Sequence, residues 1–168
     1  MEQLRSEPQM KKFWVILFSF ATLSVLGFVR EYLFESLNKY LSQVYYNYEI
    51  PYLPEFLSFF KNFSYNQLYY GKFVLTLITA LIFYVISMFS LSIIFKRPKL
   101  KQEVGIFYSS IFILSFLIFI LGHFFTDSTN YYGVSRRIAD VIQSPLAYML
   151  LLVAYLIPKA KPTKTKAK

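Results

Sequence analysis

Residues 73–95 read FVLTLITALIFYVISMFSLSIIF and lie between Lys72 and Lys96-Arg97. Twenty-three consecutive residues carry no charge, and that decides the fold class. As a helix the run measures about 35 Å, enough to cross a bilayer with some tilt. A helix apolar on every face has no place on the surface of a water-soluble domain of this size.

The same signature recurs on both sides. Val104–Phe125 is a second clean run. Phe13–Val29, between Lys11-Lys12 and Arg30, is shorter, at about 25 Å. Its basic start resembles a signal peptide, but Val29-Arg30-Glu31-Tyr32 is no small-residue cleavage site, so it reads as a retained anchor. Val141–Ile157 is apolar apart from Gln143 and Ser144, and it contains Pro145. A helix starting at Pro145 would be only about 20 Å long, so the fourth helix is expected to begin near Ser135 and run through the proline with a kink. The expectation is an all-α integral membrane protein with four transmembrane helices at about 13–29, 73–95, 104–125 and 136–157. Residues 1–12 precede them, and a basic, low-complexity tail follows at 158–168.

Composition narrows the chemistry. With no cysteine, disulfides, thiolate metal sites and a cysteine nucleophile are excluded, and one histidine excludes a multi-histidine metal site. No glycine-rich phosphate loop and no paired acid and base are present, so no catalytic residue, metal or cofactor is expected. The net charge of +9 does not describe a nucleic-acid groove, because the cations sit in short segments beside apolar runs. Twelve of the 18 Lys and Arg fall in the N-terminal segment, the 96–103 loop and the tail, against six in the longer opposite segments. The dense side is expected to be cytoplasmic, giving N-in/C-in topology, with the tail touching anionic lipid.

The outer segment, 30–72, is expected to be structured. Leu33, Leu37, Tyr40, Leu41 and Val44 recur at helical spacing, so the first helix continues to about Val44. Glu49-Ile50-Pro51-Tyr52-Leu53-Pro54 breaks it. The aromatic run from Phe56 to Phe63 then reads as an amphipathic helix in the headgroup plane, or as a binding ledge on which Phe59 is a contact.

One polar cluster stands out. Arg136 and Arg137 lie four and three residues before Asp140, and Gln143 three after it, so a helix places them on one stripe at the outer start of the fourth span. Ionisable groups there are costly and are usually paired. Two readings stay open. The arginines reach to lipid phosphates while Asp140 neutralises one of them, or the stripe meets a partner or a substrate carboxylate through the fork of an Arg. Arg30-Glu31 and Lys72 lie at a similar depth, so groups from three spans are able to converge.

The order of these features resembles the exosortase-associated small membrane proteins of Bacteroidetes. The resemblance rests on Phe28-Val29-Arg30-Glu31, Leu53-Pro54, Lys72-Phe73 and Arg136-Arg137…Ile142-Gln143-Ser144-Pro145-Leu146. It implies a bacterial inner-membrane accessory to a membrane-embedded, exosortase-like transpeptidase that processes C-terminal sorting signals. A small subunit of a transporter, or of an enzyme acting on a lipid-linked substrate, is the alternative. A transporter subunit would place charge near the bilayer midplane, and spans two and three have none.

Overall fold

The computed structural model describes residues 3–47, 52–125 and 128–157. Among them there is no strand. The elements are α1 (Gln3–Tyr45), a 3-10 helix (Glu55–Asn62), α2 (Tyr65–Ile94), α3 (Leu100–Phe125), α4 (Ser128–Ile142) and α5 (Pro145–Leu156). The expected lipid contact of the tail, and Glu49-Ile50-Pro51 of the expected helix breaker, lie outside the described residues.

The chain is an all-helical membrane protein. Three of its helices contain 18-residue windows with mean hydropathy of 1.9, 2.4 and 2.5, yet only 11%, 33% and 17% of those windows is buried by the protein itself. So much uncovered apolar surface on so many faces is stable only where lipid replaces water. Phe18, Phe28 and Phe89 illustrate it, each at least two-thirds exposed. These three helices are long and apolar enough to cross. A fourth crossing exists if α4 and α5, bent by 57°, together make one span.

The expected kinked helix is therefore a broken one. It starts at Ser128, earlier than expected, stops at Ile142 and restarts at Pro145. The physical reason lies in three residues. Pro145 has no N–H to give Val141, and its ring pushes the preceding residue out of helical conformation, so Ser144 is extended at φ −132° and ψ 159°. The stranded carbonyls then find side chains. The Ser144 hydroxyl donates to Val141 O at 2.8 Å, and Gln143 Nε2 donates to Ala139 O at 3.3 Å. The Gln143 backbone N–H has tightened to the Asp140 carbonyl at 3.2 Å. The break carries its own replacement donors.

Elsewhere local chemistry sets the element ends. At about 64 Å, α1 is twice as long as a hydrocarbon core needs. Asn47, in the left-handed region at φ 55°, follows its last turn. The far part of α1 is covered by a small core of Tyr40, Leu41, Leu53, Leu57 and Leu68. In a 3-10 helix, residues three apart align. Leu57 and Phe60 thus share the ridge that packs on this core, while Phe56 and Phe59 share an exposed ridge. Ser64 and Gln67 then cap α2 reciprocally, at 2.9 and 3.4 Å.

The main core lies between α1, α2, α3 and α5, around Leu23, Phe83, Leu91, Val104 and the fully buried Tyr148. Its polar atoms are paired. The Tyr148 hydroxyl is 2.9 Å from Ser90 Oγ, and that of Tyr108 is 2.9 Å from Ser87 Oγ. α4 runs back along α3. Ser115 Oγ donates to the Ser135 carbonyl and Ser135 Oγ to the Ser115 carbonyl, both at 2.8 Å. Nearer the start of α4, Gly122 lets Tyr131 approach so closely that a β-carbon at 122 would fall 2.1 Å from Tyr131 Cβ.

Candidate functional site

Four helices meet around a cavity of about 240 Å³, at the end of the bundle away from the 95–99 connection. α1 contributes Arg30, Phe34 and Asn38, successive i, i+4 positions on one face. α2 contributes Lys72, Phe73 and Thr76, α4 contributes Arg136, Ala139 and Asp140, and Gln143 enters from the break that follows α4. α3 supplies an aromatic wall of Phe112, Phe116 and Phe119.

Asp140 forms an ion pair with Arg30 of α1. Arg30 also donates through Nε to Gln143 Oε1 at 3.2 Å, and its guanidinium carbon lies 5.0 Å from the centre of the Phe34 ring. Gln143, 1% exposed, joins three helices. Its carbonyl oxygen meets Arg30 and the Thr79 hydroxyl, at 2.8 Å, while its amide nitrogen caps the end of α4. Lys72 Nζ donates to Asn38 Oδ1 at 2.7 Å. Three cations and one carboxylate line the space, so it carries two positive charges in excess.

This arrangement corrects one expectation. On one of the two readings Asp140 neutralises an arginine of its own helix, yet its partner among the described residues is Arg30. The pairing follows from depth. Arg30 is only 14% exposed and makes no other ion pair among the described residues, whereas Arg136 and Arg137 are exposed and reach solvent or headgroups unaided.

The structure brings Arg30, Lys72, Arg136, Asp140 and Gln143 together. It leaves three other expected residues outside the cavity. Glu31 and Arg137 are exposed next to lining residues, because adjacent helical positions are about 100° apart. Phe59 is 56% exposed on the 3-10 helix. Sequence reasoning missed Asn38 and Thr79. The signal for Asn38 was its place eight residues after Arg30 on one helical face. Thr79 had none, since the one proton of a threonine inside an apolar span usually goes to its own helix, and Leu75 O, 2.9 Å away, is here the alternative acceptor to Gln143 Oε1.

The arrangement offers groups that can bind a ligand. The carboxylate is engaged by a guanidinium, and Lys72 and Arg136 add cationic donors within an aromatic frame. No family model, curated protein or solved structure matches the chain.

Proposed function

We propose that the chain is a non-enzymatic accessory protein of an exosortase-type sorting system in a bacterial inner membrane. It assists a membrane-embedded transpeptidase that processes C-terminal sorting signals. One observation carries the reading. The separate stretches that make the sequence resemble exosortase-associated proteins supply the residues of one cluster: Arg30 from the first, Lys72 from the third, Arg136 and Gln143 from the fourth. Leu53, from the second, is buried in the neighbouring small core. A constellation gathered from distant stretches is a better marker of shared function than any of its short motifs alone.

On this reading α4 and α5 form one broken fourth span, both termini are cytoplasmic, and the cavity and the exposed ridge of Phe56 and Phe59 lie on the outer side. Aromatic and arginine side chains of that kind are enriched at binding hot spots. A periplasm-dependent reporter is then active when fused near Asn47 and silent when fused after Lys168. A tagged chain extracted in mild detergent recovers the transpeptidase, and deleting the gene impairs sorting-signal processing. If neither occurs, the accessory role falls.

A second reading, a subunit of an enzyme acting on a lipid-linked substrate, is favoured by the aromatic wall of the cavity. Accumulation of an uncleaved lipid-linked precursor, with sorting intact, would select it.

A further inference from the structure

The cavity has a charge imbalance and a shape that the accessory role does not use. Within it Arg30 is matched by Asp140, so the excess positive charge belongs to Lys72 and Arg136. Lys72 has a neutral partner, Asn38, which orients the ammonium group without cancelling its charge. No carboxylate pairs with Arg136 among the described residues. Two like charges sharing one cleft are mutually unfavourable, and an anion between them relieves both.

The level of the cavity limits what that anion is. Arg30 directly follows the last apolar residue of its span, and Lys72 directly precedes the first of its own. The cations therefore stand at the boundary between the charge-free part of the bundle and its polar end, the depth of a phospholipid phosphate. The walls agree. Phe112 and Phe116 line the cavity yet are 37% and 54% exposed, so the apolar side opens to the surrounding lipid. About 240 Å³ is less than the roughly 300 Å³ at which pockets begin to enclose a drug-sized ligand. It suits a head with the first part of a chain, the rest remaining in the bilayer.

We propose that this cavity is a specific site for one anionic phospholipid, its phosphate between Lys72 and Arg136 and one acyl chain leaving along Phe112 and Phe116. The Arg30–Asp140 pair acts as a neutral floor. Asp140 does not repel the phosphate because its charge is held by Arg30. The lysine supplies a point charge, and the arginine at the mouth supplies a planar fork for two phosphate oxygens. The inference does not depend on a transpeptidase partner.

Native mass spectrometry of the full chain, purified in a neutral detergent, tests it. The probes are phosphatidylglycerol, phosphatidylcholine with the same acyl chains, and inorganic phosphate. The expected result is one retained phosphatidylglycerol per chain, with phosphatidylcholine and inorganic phosphate bound at least about tenfold more weakly. Lys72→Gln and Arg136→Gln each weaken phosphatidylglycerol by about tenfold, the loss of one charge-assisted contact. Arg137→Gln, one position along the same helix but outside the cavity, leaves it unchanged. Equal retention of the two lipids overturns the proposal, as does an Arg137→Gln loss as large as that of Arg136→Gln. Inorganic phosphate binding as tightly as the lipid, with the same dependence on Lys72, reassigns the site to free phosphate and overturns the lipid. The comparison of lipids on the unsubstituted chain decides the matter even where a substitution impairs folding.

Discussion

Asp140 of α4 pairs with Arg30 of α1, a residue 110 positions earlier, rather than with Arg136 or Arg137 on its own helix. Asp140→Ala would leave a guanidinium that is 14% exposed without its anion. The expected cost is about 1–3 kcal/mol. Adding Arg30→Ala should recover part of it, giving a coupling of about 0.5–3 kcal/mol. Combining Asp140→Ala with Arg136→Ala should instead show a coupling of at most about 0.5 kcal/mol, the size of an i, i+4 pair on a helix surface. Reversible unfolding in mixed micelles reads both cycles. Stronger coupling to Arg136 than to Arg30 would refute the interhelical pair.

Two glycines should respond in opposite directions. A β-carbon at Gly122 would meet Tyr131 Cβ at 2.1 Å, and that atom cannot move without the helix bearing it. Gly122→Ala should therefore push α3 and α4 apart and cost about 1–3 kcal/mol. Gly71 has open space around it, so Gly71→Ala should stabilise α2 by about 0.5–1 kcal/mol. Thermal unfolding of the two variants side by side is the check.

The α3–α4 contact also rests on the reciprocal serines, Ser115 and Ser135. Ser115→Ala should cost about 0.6 kcal/mol, the usual size of an interhelical hydrogen bond in a membrane protein. Ser115→Val should cost more, because a branched side chain cannot share the close crossing. A neutral valine would argue against direct contact.

Much of the fold is legible in the sequence, and the failures share a cause. The charge-free runs announced α2 and α3, and the periodicity of Leu33, Leu37 and Leu41 announced the continuation of α1, which ends at Tyr45, beyond its apolar run. Both signals are local. Asp140 misled because the i, i+4 rule offers Arg136 and Arg137 as neighbours, while depth in the bundle, which selects Arg30, is a property of the assembled helices. The proline at 145 was legible, but its effect was not. Whether it bends or breaks a helix depends on nearby donors, and here Gln143 and Ser144 supply enough to make a full break comfortable.

Restoring the missing donor should close that break. Pro145→Ala returns an N–H to Val141 O, so α4 and α5 should approach one continuous helix and lose much of their 57° bend. The chain has no cysteine, so spin labels at Val134→Cys and Leu156→Cys report on these positions alone. Their separation, measured by pulsed electron resonance, should lengthen in the Pro145→Ala background. An unchanged distance would show that the tertiary contacts of Gln143, and not Pro145, hold the bend.

The break has a consequence for how the chain enters its membrane. Split at Gln143–Ser144, the last segment offers the insertion machinery two pieces of about 22 and 18 Å, each shorter than a hydrocarbon core. The first piece carries Arg136, Arg137 and Asp140, charges that at the centre of an inserting helix cost about 2.5–3.5 kcal/mol each. Such a segment is a poor signal by itself. On the four-crossing reading it enters late, once Arg30 and Thr79 are already in the bilayer to receive Asp140 and Gln143, so that biogenesis of the last crossing depends on α1 and α2, made more than a hundred and about sixty residues earlier.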